Sequence, residues 1–376
     1  MKLQCHYFDS LACRSCSGLG EDVHVWRDSQ FSALKKLFAH DLWLDPQWSS
    51  SVFGSRTKAK FSVAGTLHDP LLGRSTKDGS VVDLRSCQLH DPRIEKLTDE
   101  LVSTIKEYRL TPYDIQTRKG ELKHIILQVG DDDSLMIRFV LRSKEAISRL
   151  EKFVNIADSK FKVITANIQP EHSAVLEGDE EIVLSHERFL PVSIGDHPLL
   201  LGPRSFVQTN LEIAGKLYHS ASQWLEHTEG RFLDLFCGIG GFSAHLTKPG
   251  REVVGVELSS EAIESASKAI SGASFIAMDA WQFIASSKPF DVVVVNPPRR
   301  GLGEDICHRL NQLSPKHILY SSCNPLTLKR DLEVLNYKID KIQAFEMFPM
   351  TEHWEVLCLL TLNQEQQQGR ESQPDD

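Results

Sequence analysis

The sequence predicts two units: an N-terminal α+β domain over residues 1–198 and a doubly wound α/β domain over 199–364, with a disordered polar tail at 365–376. Three observations carry this. At 376 residues the chain exceeds what one compact core usually holds. After Pro203, short Val/Ile-rich runs alternate with helix-period segments, as in a parallel sheet covered on both faces. Between about 50 and 200, strand-like runs and tight turns dominate instead.

In chain order, SRTKAKFSVAG (55–65) alternates as a half-buried strand does, and HIILQV and LMIRFVLR flank a Gly-Asp-Asp-Asp-Ser turn, which predicts a hairpin. SKEAISRLEKFVNIA (143–157) has helical spacing, and FKVITANIQP returns to strand. An amphipathic helix is expected over Leu211–Trp224. RFLDLFCG, EVVGVEL, SFIAMD, FDVVVVNPP and HILYSSC then read as parallel strands, separated by helices near 242–246, 260–270, 280–286, 304–313 and 326–335. KIQAFEMFP and WEVLCLLTL close the sheet as an antiparallel edge pair.

With 41% hydrophobic and 25% charged residues, the composition is that of a soluble globular chain. No run of about eighteen apolar residues exists to span a membrane. The opening MKLQCHYFDSLACRSCSG lacks the apolar segment of an export signal, so a cytoplasmic location is expected. The formal net charge of −9 means that any nucleic-acid partner must be held by local basic patches. Arg56, Lys58 and Lys60 fall on one face of an extended segment, either for phosphate contacts or as a solvated edge. Arg118, Lys119 and Lys123 form a second candidate patch.

Eight cysteines without an export signal point to metal ligation or thiol chemistry rather than disulfides. Cys5, Cys13, Cys16 and Cys87 are a candidate ligand set, and their spacing alone does not separate zinc from an iron–sulfur cluster. Cys237, Cys307 and Cys358 read as core. Cys323 ends a parallel strand, where side chains face the ligand crevice of an open α/β sheet. The neighbouring strand ends in Asn296-Pro297-Pro298-Arg299-Arg300-Gly301, and Glu352 and Glu355 precede the last strand. The loop LDLFCGIGGF (233–242) follows a strand and opens a helix, with Glu257 about twenty residues on, placed for ribose hydroxyls. Ser243 stands where a dinucleotide fingerprint wants a third glycine, so the loop suits adenosine joined to a sulfonium amino acid better than a pyrophosphate.

NPPRRG, YSSCNPLTLKRD, MFPMTEHWEVL, DLFCGIGGF and SFVQTN closely resemble the RNA uracil-C5 methyltransferases, over nearly the whole chain to about Leu362. The resemblance implies a Rossmann-like domain binding S-adenosylmethionine, with Cys323 as nucleophile and Glu355 as general base. Gln208, Phe236, Gly238, Glu257 and Asn296 are then the cofactor-contacting positions, Asn296 alternatively meeting the uracil edge. It also implies a [4Fe–4S] cluster on Cys5, Cys13, Cys16 and Cys87 in an N-terminal domain that engages RNA through Arg56, Lys58 and Lys60. The start at CHYFDSLACRSC leaves no room for a preceding RNA-binding barrel, which most resembles the members acting on 23S ribosomal RNA. Against this stand a transfer RNA or another ribosomal site as substrate, an adenine amino-methyltransferase suggested by Asn-Pro-Pro, and a non-catalytic iron–sulfur RNA-binding protein. No membrane or obligate protein partner is expected.

Overall fold

A computed structural model describes residues 2–38, 42–76, 79–157, 160–172 and 175–363; the expected tail at 365–376 lies outside them. The chain opens with α1 (His6–Asp9) and α2 (Val23–Phe38). It then builds a mixed sheet from β1 (Lys58–Gly65), β2 (Pro70–Ser75), β3 (Val81–Asp83), β4 (Leu122–Val129), β5 (Leu135–Leu141), β6 (Phe161–Ile168) and β7 (Glu180–Val183). In the described residues its order is β3-β2-β1-β4-β5-β6-β7. The expected hairpin is the antiparallel β4–β5 pair. Helices α3 (Pro92–Glu107) and α4 (Ile147–Ile156) seal one face, bringing Ile94, Leu101, Leu150 and Phe153 against Phe61, Ile125 and Phe139. Asp91 caps α3 by accepting from Arg93 N, and Pro92 takes the first-turn position that wastes no donor.

A hairpin, β8 (Leu190–Ile194) and β9 (His197–Leu201), leads into the second sheet. This is built from α5 (Leu211–Trp224), β10 (Gly230–Leu235), α6 (Gly241–Leu246), β11 (Arg251–Glu257), α7 (Ser260–Ala269), β12 (Ala273–Ala277), α8 (Ala280–Ser286), β13 (Val292–Val295), α9 (Glu304–Leu313), β14 (His317–Ser322), α10 (Pro325–Val334), β15 (Tyr337–Phe345) and β16 (Glu355–Leu362). Strands β12-β11-β10-β13-β14 run parallel, and β16 and β15 complete the order antiparallel. Alternate residues feed two cores. Phe232, Val294, Leu319 and Leu357 pack with the hairpin and α5–α7, while Leu235, Val295, Tyr320 and Val356 pack with α8–α10 and Leu34 of α2. Among the described residues no helix is long and apolar enough to cross a membrane.

The expected antiparallel edge pair is β16 and β15, with β16 bonded to β14 and β15 outermost in the order. The 198/199 boundary falls inside the β8–β9 hairpin, whose Leu190, Val192, Leu199 and Leu201 belong to the second core. Helix α2 and residues 42–49 sit on the second sheet, although Arg74 of β2 still donates from Nη1 to Ser15 Oγ (2.5 Å) near the start of the chain. Residues 42–47 run beside β15, with Leu44 N donating to Ile342 O (2.8 Å) and Gln47 N to Ala344 O (2.8 Å). Just beyond, Arg27 of α2 grips Glu346 through Nε (2.9 Å) and Nη2 (2.5 Å), and Ser49 N donates to the same carboxylate (3.1 Å).

Both partners of the Arg27–Glu346 pair are largely buried, so removing one strands a charge. Glu346→Ala is expected to lower stability by roughly 3–5 kcal/mol, read from urea denaturation. Replacing both partners with apolar residues should recover much of the loss.

Candidate active site

Strand alternation places the polar residues at the top of the second sheet. Phe232, Val294, Leu319 and Leu357 share the α5–α7 face. Two residues further along each strand, or two before on β16, stand Asp234, Asn296, Ser321 and Glu355, which therefore point to that same face. The register fixes their rows: Asp234 pairs with Val294, Val295 with Tyr320, Ser321 with Leu357 and Phe345 with Glu355. Cys323 follows one step past the end of β14 and is half-buried. Nucleophile and base candidates thus come from adjacent antiparallel strands, β14 and β16.

Glu355 has no exposed surface. Its Oε1 accepts from Ser321 Oγ at 2.5 Å, and its Oε2 is buried without a partner. Burial pushes its carboxyl up to about 7, with the Ser321 bond pulling the other way. Glu352, the rival base, points into solvent, as does His353. The Cys323 thiol is raised by burial and then by the Glu355 carboxylate, while the Arg299 guanidinium lowers it. Arg299, read from sequence as a phosphate ligand or a surface ion-pair partner, therefore sits near Cys323. Asn324 shapes the turn, donating from Nδ2 to Arg299 O (3.0 Å) and capping α10 through Leu326 N.

The glycine loop adjoins this row. Gly238 has φ +54° and open space where a Cβ would stand, so a ligand can approach its backbone closely. Its N–H donates to Glu257 Oε2 (3.3 Å), and Ser259 N holds Glu257 Oε1 (3.0 Å), fixing that carboxylate at the end of β11. Phe236 adopts a left-handed φ of +67°, an uncommon conformation for a non-glycine residue and one that clusters at functional sites. It lines a cavity of about 440 Å³ with Trp281, Pro298 and Arg300 while packing against the second core. Gln208 is buried two residues before the α5 cap, Asn210, whose side chain accepts from Ile213 N (3.2 Å). Cys237, Cys307 and Cys358 are buried.

Sequence reasoning passed over three residues here. Asp234 accepts from Ser243 N (3.0 Å) and Oγ (2.6 Å), yet its Oδ1 is buried and unpartnered, and burial pushes its carboxyl up to about 6. Tyr218 of α5 is buried close enough to feel both Glu355 and Asp234, and burial followed by those two charges raises its hydroxyl well above the ordinary value. Ser321 was visible only as part of a motif; the period of two, which puts it on the side of Cys323, was the available signal.

The N-terminal candidates form a separate site. Cys5, Cys13, Cys16 and Cys87 are free thiols lining one cavity of about 330 Å³, together with Arg56, Lys58, Lys60 and Phe348. Among the described residues no group of three or more His, Cys, Asp or Glu is arranged to hold a single metal ion. Burial raises the Cys16 thiol to about 11 and also raises Cys87. Lys60 pairs with Glu177 (3.4 Å), which also binds buried Arg138 (2.7 Å); burial, then the charges of Lys60 and Arg138, bring Lys58 down to about 8. The second basic patch does not hold together. Lys123 is buried, its ammonium spent on Gln169 Oε1 (3.1 Å) and Glu171 O, while Arg118 and Lys119 are exposed.

With this geometry in view, the chain was compared with known proteins. A family model described as tRNA (Uracil-5-)-methyltransferase matches residues 284–363, and one described as Methyltransferase domain matches 232–300. The 23S rRNA (uracil(747)-C(5))-methyltransferase RlmC of Yersinia pestis (strain Pestoides F) is 39% identical, over 96% of this chain and 100% of its own. The protein of the same name from Shewanella pealeana is 40% identical, over 95% and 99%. The crystal structure of Pyrococcus abyssi tRNA (uracil-54, C5)-methyltransferase in complex with S-adenosyl-L-homocysteine superposes with a TM-score of 0.81 at 29% identity, covering 92% of this chain and 86% of that one. The fold is thus the Rossmann-like methyltransferase fold, and the chain belongs to the RNA uracil-C5 methyltransferase family of enzymes.

Proposed function

We propose that the protein methylates C5 of a uracil in 23S ribosomal RNA, at a site of the 747 type, using S-adenosylmethionine. The observation that carries the chemistry is the pairing of a half-buried thiol, Cys323, with a buried, half-satisfied carboxylate, Glu355, on adjacent strands beside the glycine loop. The ribosomal substrate rests on relatives of that name at 39–40% identity along almost the entire chain. A transfer RNA substrate is the second reading, favoured by the tRNA description of the matching family model and by the Pyrococcus enzyme.

The cofactor, when bound, supplies an electrophilic methyl group. Asp234 Oδ1, Gly238 N, Glu257, Phe236, Asn296 and Gln208 are the groups we assign to hold it, and the unpartnered Asp234 oxygen and the space at Gly238 suit such a ligand. Uracil C5 is a poor nucleophile. The Cys323 thiolate adds to C6, its electron pair pushing density through C5 to O4, and C5 then takes the methyl. Glu355 Oε2 removes the C5 proton; the C6–S bond breaks and its electrons return to Cys323 as the C5–C6 double bond reforms. Arg299 favours the thiolate, and a carboxyl raised to about 7 makes an effective base at neutral pH. Because the ring must reach a half-buried sulfur, the target base has to leave its stack.

We further infer that Cys5, Cys13, Cys16 and Cys87 hold a [4Fe–4S] cluster. Four free thiols line one cavity, and four cysteine sulfurs are the ligand set such a cluster takes. Such a cluster would cross-link the N-terminal segment to the loop before α3. Arg56, Lys58 and Lys60 beside it would meet RNA phosphate, Lys60 exchanging Glu177 for the backbone. We place the unit boundary just before Leu190, so that the β8–β9 hairpin goes with the methyltransferase half.

Three outcomes test these assignments. Cys323→Ala should abolish both methylation and covalent enzyme–RNA adduct, whereas Glu355→Gln should form adduct and resolve it ~10²–10⁴-fold more slowly, read on denaturing gels; mapping the methylated nucleotide in cellular 23S and transfer RNA separates the two substrate readings. The rate of adduct resolution in the unmodified enzyme should rise with pH through about 7, since the base must be ionised and its carboxyl is raised to that value. Anaerobically purified protein should carry about four iron and four sulfide with a broad visible absorption band, both lost in Cys87→Ser; one zinc per chain would overturn the cluster.

A further inference from the structure

The two serines of Tyr320-Ser321-Ser322-Cys323 face opposite sides of the sheet and do different work. Ser322 Oγ donates to Asn324 O (3.1 Å) and accepts from Asn324 N (3.2 Å), shaping the turn that carries Cys323. Ser321 has no exposed surface, and its hydroxyl is spent on Glu355 Oε1 at 2.5 Å. A buried strand between two apolar layers would take Val or Ile at this position without loss of packing. A hydroxyl there serves only what it bonds.

We propose that Ser321 is a positioning residue for the general base: by occupying Oε1 it fixes the carboxylate's rotation and leaves Oε2, which has no partner among the described residues, as the one oxygen available to the C5 proton. The inference rests on the uracil-C5 reading and deepens it. Ser321 acts through Glu355, its side-chain partner. A bond donated to the ionised carboxylate also favours the charged form, opposing the burial that raises it. The other titratable groups around the site do not substitute for it. Tyr218 from α5, Asp234 from β10 and Cys323 after β14 all become anionic when they ionise, and the Arg299 charge acts on the thiol.

The test is the decay of the covalent adduct between the full-length enzyme and a transcript of the 23S segment containing the target uracil, followed against pH. Ser321→Ala should form adduct at Cys323 as fast as the parent but resolve it roughly tenfold more slowly at neutral pH. The midpoint of its resolution profile should move up by about one pH unit. Ser321→Thr, which keeps the hydroxyl, should hold the parent midpoint, and a purely structural role would lower the melting temperature of Ser321→Ala without moving the midpoint. An unshifted midpoint and unchanged adduct lifetime in Ser321→Ala overturn the inference alone. Absence of any Cys323 adduct in the parent enzyme overturns the uracil-C5 reading, and this inference with it.

Discussion

A carboxylate with no exposed surface, one oxygen bonded to a single serine and the other without a partner among the described residues, is a costly thing to bury. Left to itself it takes up a proton; its rise to about 7 is the measure of that tendency. The sheet tolerates Glu355 because β16 enters antiparallel between β14 and β15, so the first residue of the strand lands beside Ser321 with no freedom to turn toward water. Everything the site can do follows from that placement. A base poised near neutrality sits one strand from a thiol, and the same carboxylate raises that thiol while Arg299 lowers it.

The row Asp234, Asn296, Ser321 and Glu355 shows how a doubly wound sheet assembles chemistry from distant stretches of sequence. Each strand contributes one polar residue two steps from a core residue; the register sets Asp234 level with Val294 and Ser321 level with Leu357, so the four stand staggered on one face. The opposite face repeats the pattern with a structural outcome: Tyr320 Oη donates to buried Asp331 (2.7 Å), which also accepts from Leu302 N (2.7 Å), tying the arginine-bearing loop after β13 to α10. One strand therefore serves the reaction on one side and loop rigidity on the other.

Much of this was legible in the sequence. The Val-rich run before Asn296 could only be a central strand, and helices 211–224, 280–286 and 304–313 begin and end where spacing puts them. Cys323 was legible because strand ends face the crevice, and burial now separates Glu355 from the exposed Glu352 where spacing could not. What stayed hidden was decided by tertiary contact. Lys123 carries a charge and reads as surface, but the strand's packing turns it inward to Gln169. Nothing local in residues 23–38 and 42–49 announces that they pack against the end of the second sheet; their partners lie some three hundred positions away. The β8–β9 hairpin was legible but passed over: Gly195-Asp196, with Gly195 at φ +59°, is a two-residue turn signal between two apolar runs.

The ribbon at 42–47 lies along β15, which ends the hydrogen-bonded strand order. Gln343 Nε2 reaches Asp45 O across 298 positions of chain. Residues 42–47 therefore find their seat only once β15, some three hundred positions later, has been made. Contacts of such separation are slow to form. Until they do, the outer edge of β15 is an unpaired strand edge open to other chains.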